Sequence, residues 1–156
     1  MGIAPEVEKL LKNEGVSYDV IKHPTAYTAQ EEAAASHISG YEWAKTVIYF
    51  TDEDEPIMAV LPASYHVNQG KLAKLAGSSS LRLAEESDFA GLYPNCEPGA
   101  MPPLGNLYGQ RVFVDQRLAD DEEIVFNAGN HSEAVRMRYA EYEKLAKPTV
   151  GELTGG

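Results

Sequence analysis

A chain of 156 residues suits one domain, and its 24 Asp and Glu against 13 Lys and Arg give a formal charge of -11. That charge repels a phosphate backbone at distance and excludes broad electrostatic binding of nucleic acid, so any RNA contact must be local, to a chain end, through a few placed cations. The single cysteine, Cys96, excludes an internal disulfide, and with no leader-like start and no apolar run of bilayer length a soluble, cytoplasmic protein without a membrane partner is expected.

In chain order, residues 4–14 read as a helix with Pro5 in its first turn, Val7, Leu10 and Leu11 on one face and Gly15 to end it. Residues 17–23 alternate as a strand that Pro24 stops. Thr28 and Glu31 form a capping-box pattern opening a helix that runs to His37. The run from Trp43 to Thr51 is a strand, apolar on both faces except for Lys45, which shares a face with Trp43, Val47 and Tyr49. An acidic turn at 52–56 makes it half of a hairpin, with 57–61 returning antiparallel.

Asn68 caps a short helix to Ala76 anchored by Leu72 and Leu75, residues 81–83 read as a brief strand, and 85–93 as another helix. Six Pro and Gly residues make 95–109 a long loop. Strands at 111–115, 123–127 and 133–137 follow, with a closing helix at 139–147 that turns Tyr142 and Leu145 inward. Residues 148–156 read as a loose tail behind a single domain of residues 1–147. The expected class is α+β with a mixed sheet.

An ammonium group in an apolar strand must find a partner, reach solvent along its stem, or serve a ligand's negative charge. Lys45 therefore reads either as an edge lysine that discourages aggregation or as a ligand-binding cation. The segment from Gly99 to Pro103 offers amide donors at Gly99 and Ala100 followed by prolines that fix its course, a construction able to hold N–H groups toward a carbonyl or phosphate oxygen. It is equally the composition of an ordinary surface loop. His131 lies just past a strand end and His23 just before Pro24, where each reads as a rim residue or as a satisfied polar group. Cys96 reads as an inert thiol. No calcium loop, zinc spacing, phosphate loop or dinucleotide fingerprint is present. Candidate cations for local RNA contact are Lys71 with Lys74, Arg136 with Arg138, and Arg111 with Arg117.

Taken together, His23-Pro24, Thr28, Lys45 on a strand, Gly99-x-x-x-Pro103-Leu104-Gly105, Val114-Asp115, and Gly129 near His131 occur in an order that resembles the YbaK / prolyl-tRNA synthetase editing-domain family, from about Val16 to Leu145. The resemblance implies an α+β fold with a barrel-like mixed sheet flanked by helices, hydrolysis of mischarged aminoacyl-tRNA, and no metal or nucleotide cofactor. It places Lys45 where the family's functional lysine holds the phosphate or ribose of the terminal adenosine, and Gly99, Ala100, Met101 and Pro103 in the substrate-binding loop. His23, Thr28, Gly105, Asp115, Gly129 and His131 fall at pocket positions, and Met101 and Leu104 are expected to wall a sieve for small amino acids. The segment 98–105 is closer to free-standing editing factors than to the domain inserted in synthetases.

Such a site would act without an enzyme nucleophile, because an aminoacyl ester is already activated and needs only orientation, a polarised carbonyl and water. One ammonium about 4 Å from a phosphate supplies roughly 4 kcal/mol at an effective dielectric near 20, before desolvation. That anchors an acceptor end and no more, so weak, salt-sensitive tRNA affinity or delivery by a synthetase partner is expected. The alternative from another class is a non-catalytic module of the same fold that recruits a synthetase or another protein.

Overall fold

The computed structural model describes residues 3–22 and 43–155. Its centre is the hairpin of β2 (Trp43–Thr51) and β3 (Pro56–Pro62), antiparallel with Lys45 opposite Leu61 and Tyr49 opposite Ile57. The turn between them closes through Thr51, whose amide donates to Glu55 O while its hydroxyl accepts from the amides of Glu53 and Glu55. Around the hairpin the remaining elements are α1 (Pro5–Asn13), β1 (Tyr18–Lys22), α2 (Gln69–Ala76), β4 (Leu81–Leu83), α3 (Glu86–Leu92), a 3-10 turn (Gly105–Leu107), β5 (Arg111–Asp115), α4 (Gln116–Ala119), β6 (Glu123–Asn127), β7 (Glu133–Arg138), α5 (Tyr139–Ala146) and β8 (Thr149–Gly151).

The strands form one mixed sheet in the order β1-β7-β6-β2-β3-β5-β8, with β4 attached to β2 as a branch. Pairings β2–β6, β3–β5 and β5–β8 are parallel and the rest antiparallel. This is the α+β class expected. Strand alternation divides the interior. Ala44 and Ile48 of β2 join the larger core with Val60, Val114, Phe126 and Tyr142, whereas Tyr49, Ile57 and Phe113 face a second cluster closed by Leu72 and Leu153. Among the described residues no helix is long and apolar enough to cross a membrane.

Helix caps follow the local sequence. Pro5 sits at the start of α1, Asn68 Oδ1 accepts the Lys71 amide at 3.1 Å, and Glu85 with Asp88 forms a capping box on α3. Three expectations are corrected. Leu75 is not an anchor of α2, being 37% exposed while Leu72 is fully buried. A short helix, α4, follows β5 where no helix was expected, started by the Asp115 side chain. The segment after α5 is not a loose tail: β8 pairs with β5, and Leu153 and Thr154 are buried. Leu153 is the physical reason, since it fills a gap between α2 and the sheet that short-range pattern cannot reveal. The expected helix at 28–37, with His23 and Thr28, lies outside the described residues.

Candidate functional site

The two edges of β2 are used differently. Along one, β3 pairs with β2 without a break from Ala44 to Phe50. Along the other, β6 lies beside only Trp43 and Ala44, and β4 beside only Tyr49, Phe50 and Thr51. The sheet therefore splits at the middle of β2, and a cavity of about 160 Å³ occupies the split, lined by Ala44, Lys45, Thr46, Val47, Gly99, Met101 and Asn127. Because the opening is at a strand edge, residues from both faces of β2 reach it. Lys45 is half-buried, and burial pushes its pKa below the usual lysine value. Among the described residues no carboxylate pairs with it.

The opposing wall is a turn. Ala100 N donates to Glu97 O at 3.0 Å across Pro98 and Gly99, and Gly99 has φ +85°. Proline second and a positive-φ glycine third is the type II arrangement. This corrects one expectation, because the Ala100 amide closes the turn and is not available to a ligand. The Gly99 amide stays outside that bond. In a trans peptide the carbonyl and the N–H point in opposite directions, and the Pro98 carbonyl is held 2.8 Å from His131 Nε2. A carbonyl only accepts, so Nε2 carries the proton, and the Gly99 N–H points away from His131.

Four contacts fix this turn to the β6–β7 corner. Glu97 N donates to Gly129 O and Gly129 N to Ala100 O, while His131 uses its amide on Glu97 Oε1 and its ring on Pro98 O. Gly129 has φ +114°, and a Cβ there would lie 2.9 Å from the Ala4 Cβ. At 3% exposure His131 supports the turn from behind. The far end of the loop is held by Tyr142, fully buried, whose hydroxyl donates to Pro103 O at 2.7 Å.

Of the residues singled out from sequence, Lys45, Gly99 and Met101 meet at the cavity, and Ala100, Pro103, Gly129 and His131 build its wall from behind. Others go elsewhere. Leu104 does not wall the cavity; it is fully buried in the larger core. Gly105 starts the 3-10 turn, where a Cβ would lie 2.3 Å from Gln110 O. Asp115 is not a pocket residue either. Its buried carboxylate accepts the amides of Arg117 and Leu153, joining β5 to the C-terminal segment. Lys71, Arg111 and Arg117 are engaged with Glu152, Glu55 and Asp115 respectively. Cys96 lies 3.6 Å from the Tyr108 hydroxyl, and burial pushes its thiol up, so it is a poor nucleophile. Asn127, at the last position of β6, lines the cavity and was not singled out. Its only sequence signal is that it ends a strand just before Gly129 and His131.

A family model described as an aminoacyl-tRNA editing domain matches residues 23–145. Proline–tRNA ligase of Xanthomonas oryzae pv. oryzae is 30% identical over 105 residues, covering 67% of this chain and 18% of that protein. The corresponding ligase of Stenotrophomonas maltophilia is 28% identical over 136 residues, 83% of this chain and 23% of that protein. The chain thus spans about a fifth of the length of these curated relatives. Among solved structures, a candidate trans-editing enzyme for prolyl-tRNA synthetase superposes with a TM-score of 0.85 at 22% identity, over 98% of this chain and 97% of that one. A protein of unassigned function superposes with a TM-score of 0.85 at 21% identity, over 96% and 99%. With the family model spanning most of its length, from before the lysine strand to the closing helix, the chain belongs to the aminoacyl-tRNA editing domain family.

Proposed function

We propose that this chain is a trans-acting deacylase that hydrolyses the ester of mischarged tRNA carrying a small, non-cognate amino acid, with tRNA-Pro as carrier and the cytoplasm as setting. The observation that carries the reading is the meeting of Lys45 and Gly99, distant in sequence, at one small cavity. About 160 Å³ is well below the roughly 300–1,000 Å³ of ordinary ligand pockets. It suits an aminoacyl tip and leaves the adenosine outside, against Lys45. The carrier is suggested by the prolyl-tRNA ligases among the relatives.

In this mechanism Lys45 holds the terminal phosphate or ribose, and the Gly99 N–H polarises the ester carbonyl and stabilises the oxyanion. Water adds to the carbonyl carbon, the bond to the ribose oxygen breaks, and the proton from water ends on that oxygen, releasing free amino acid and uncharged tRNA. His131 acts through the turn, by fixing the direction of the Pro98–Gly99 peptide. No metal is needed for these steps. The acidic surface predicts weak, salt-sensitive binding unless a synthetase delivers the tRNA.

A panel of mischarged tRNAs tests the reading. One preferred ester should be hydrolysed, and Lys45→Ala should abolish that turnover. Unchanged turnover in the variant removes the role of Lys45. A silent panel combined with capture of a synthetase replaces the deacylase with a recruiting module.

A further inference from the structure

The split in the sheet leaves one residue of β2 facing the cavity with its main chain. Trp43 O accepts Ala63 N and Thr51 N donates to Glu55 O, so odd-numbered residues direct their amides and carbonyls to the β3 side. Even-numbered residues face the other edge. There Ala44 lies beside Phe126 of β6, and Ile48 O accepts Ala84 N where β4 begins. Thr46 falls between these two, and neither β6 nor β4 pairs with it. Among the described residues its N–H and C=O meet no strand on that edge, and it lines the cavity with Asn127, where β6 ends.

We propose that this slot is the aminoacyl subsite: Thr46 C=O accepts the substrate's α-ammonium and Thr46 N–H donates to the acyl carbonyl, so the amino acid adds to β2 as a strand one residue long. The inference rests on the deacylase reading and names the part of the substrate the cavity grips. An α-amino acyl group carries one donor and one acceptor, the complement of what a single strand residue presents at an open edge. The ammonium–carbonyl bond is charge-assisted and so among the stronger kind. With the acyl backbone fixed in the slot, the side chain leaves it in one direction, and about 160 Å³ admits only a small one. Recognition is through main chain, so the Thr46 side chain itself is dispensable.

Two non-hydrolysable 3′-amide analogues of aminoacyl-adenosine test this, one carrying L-alanyl and one carrying propionyl, which lacks the amino group. In ¹⁵N-resolved NMR titrations the alanyl analogue should move the Thr46 amide proton downfield and bind about 10- to 100-fold more tightly than the propionyl analogue. Thr46→Pro, which removes the N–H, should lose about tenfold in affinity for the alanyl analogue. Thermal melts check that the proline variant folds; if it does not, replacing Thr46 by its α-hydroxy acid removes the same N–H and gives the same readout. Equal affinity for the two analogues, or an unmoved Thr46 amide while Lys45 and Gly99 shift, overturns the slot. Either result alongside turnover in the tRNA panel leaves the deacylase reading standing, whereas absence of both binding and turnover overturns the two together.

Discussion

Replacing Gly99 with alanine separates the direction of one peptide from the stability of the fold. A Cβ at this position would lie 3.5 Å from His131 Cε1 and 3.7 Å from Nε2, ordinary contact distances, so sterics alone do not forbid the methyl group. The cost is in the backbone, because φ +85° is strained for an L-residue by about 1–2 kcal/mol. The chain can relieve that strain by flipping the Pro98–Gly99 peptide into a type I turn, which suits alanine. The flip breaks the His131–Pro98 hydrogen bond, a net loss of about 1 kcal/mol, and reverses the N–H. Either way stability falls by about 1–2 kcal/mol, a melting shift of roughly 2–8 °C for a chain of this size. Loss of an oxyanion donor lowers kcat by about 10²–10³-fold. Gly109→Ala is the control, since it has φ +66° with open space around it and does not line the cavity. It should show the same melting shift with kcat unchanged. Thermal melts and single-turnover deacylation on the preferred substrate read both quantities. Wild-type kcat in a Gly99 variant whose His131 Nε2 proton resonance shows the bond to Pro98 O broken, and the peptide therefore flipped, would refute the claim that this amide acts in the reaction.

Three further outcomes are expected. Lys45→Met keeps the apolar stem and removes the charge, so kcat/KM on charged tRNA should fall while the salt-dependence slope of binding loses about one. The pKa of Lys45 is lowered in the folded state, so its charge opposes folding below that pKa and the penalty is relieved as pH rises from it toward 10.5. Denaturant titrations should therefore show wild type gaining stability relative to Lys45→Met across that window, and parallel curves would contradict the burial of the amine. Tyr142→Phe leaves the Pro103 carbonyl without its donor in a buried setting, and urea unfolding should record a loss of about 1–3 kcal/mol. Truncation after Pro148 removes β8, the buried Leu153 side chain and one amide bound to the buried Asp115 carboxylate. It should cost about 3–5 kcal/mol, where a loose tail would cost nothing measurable.

Local pattern alone determined the β2–β3 hairpin, because two strand-length runs of apolar, largely β-branched and aromatic residues on either side of an acidic turn encode both strands and their pairing. It also determined the cap at Asn68, whose partner lies three residues away. The order of Lys45 and the Gly99–Pro103 segment was enough to indicate the family, since a motif survives as sequence even where its geometry is hidden. What the motif could not convey is which of its groups are free. Ala100 and Asp115 look like site residues by type, yet one amide closes a turn and one carboxylate holds the Leu153 amide 38 positions later in the chain. Leu104 and Leu75 exchange expected roles with the core and the solvent for the same reason, that burial depends on elements far away in sequence. The slot at Thr46 exists only because β6 and β4 each cover part of one edge of β2. Hydrogen bonding along a strand is a property of its neighbours, and only the assembled sheet decides which residue is left facing a cavity.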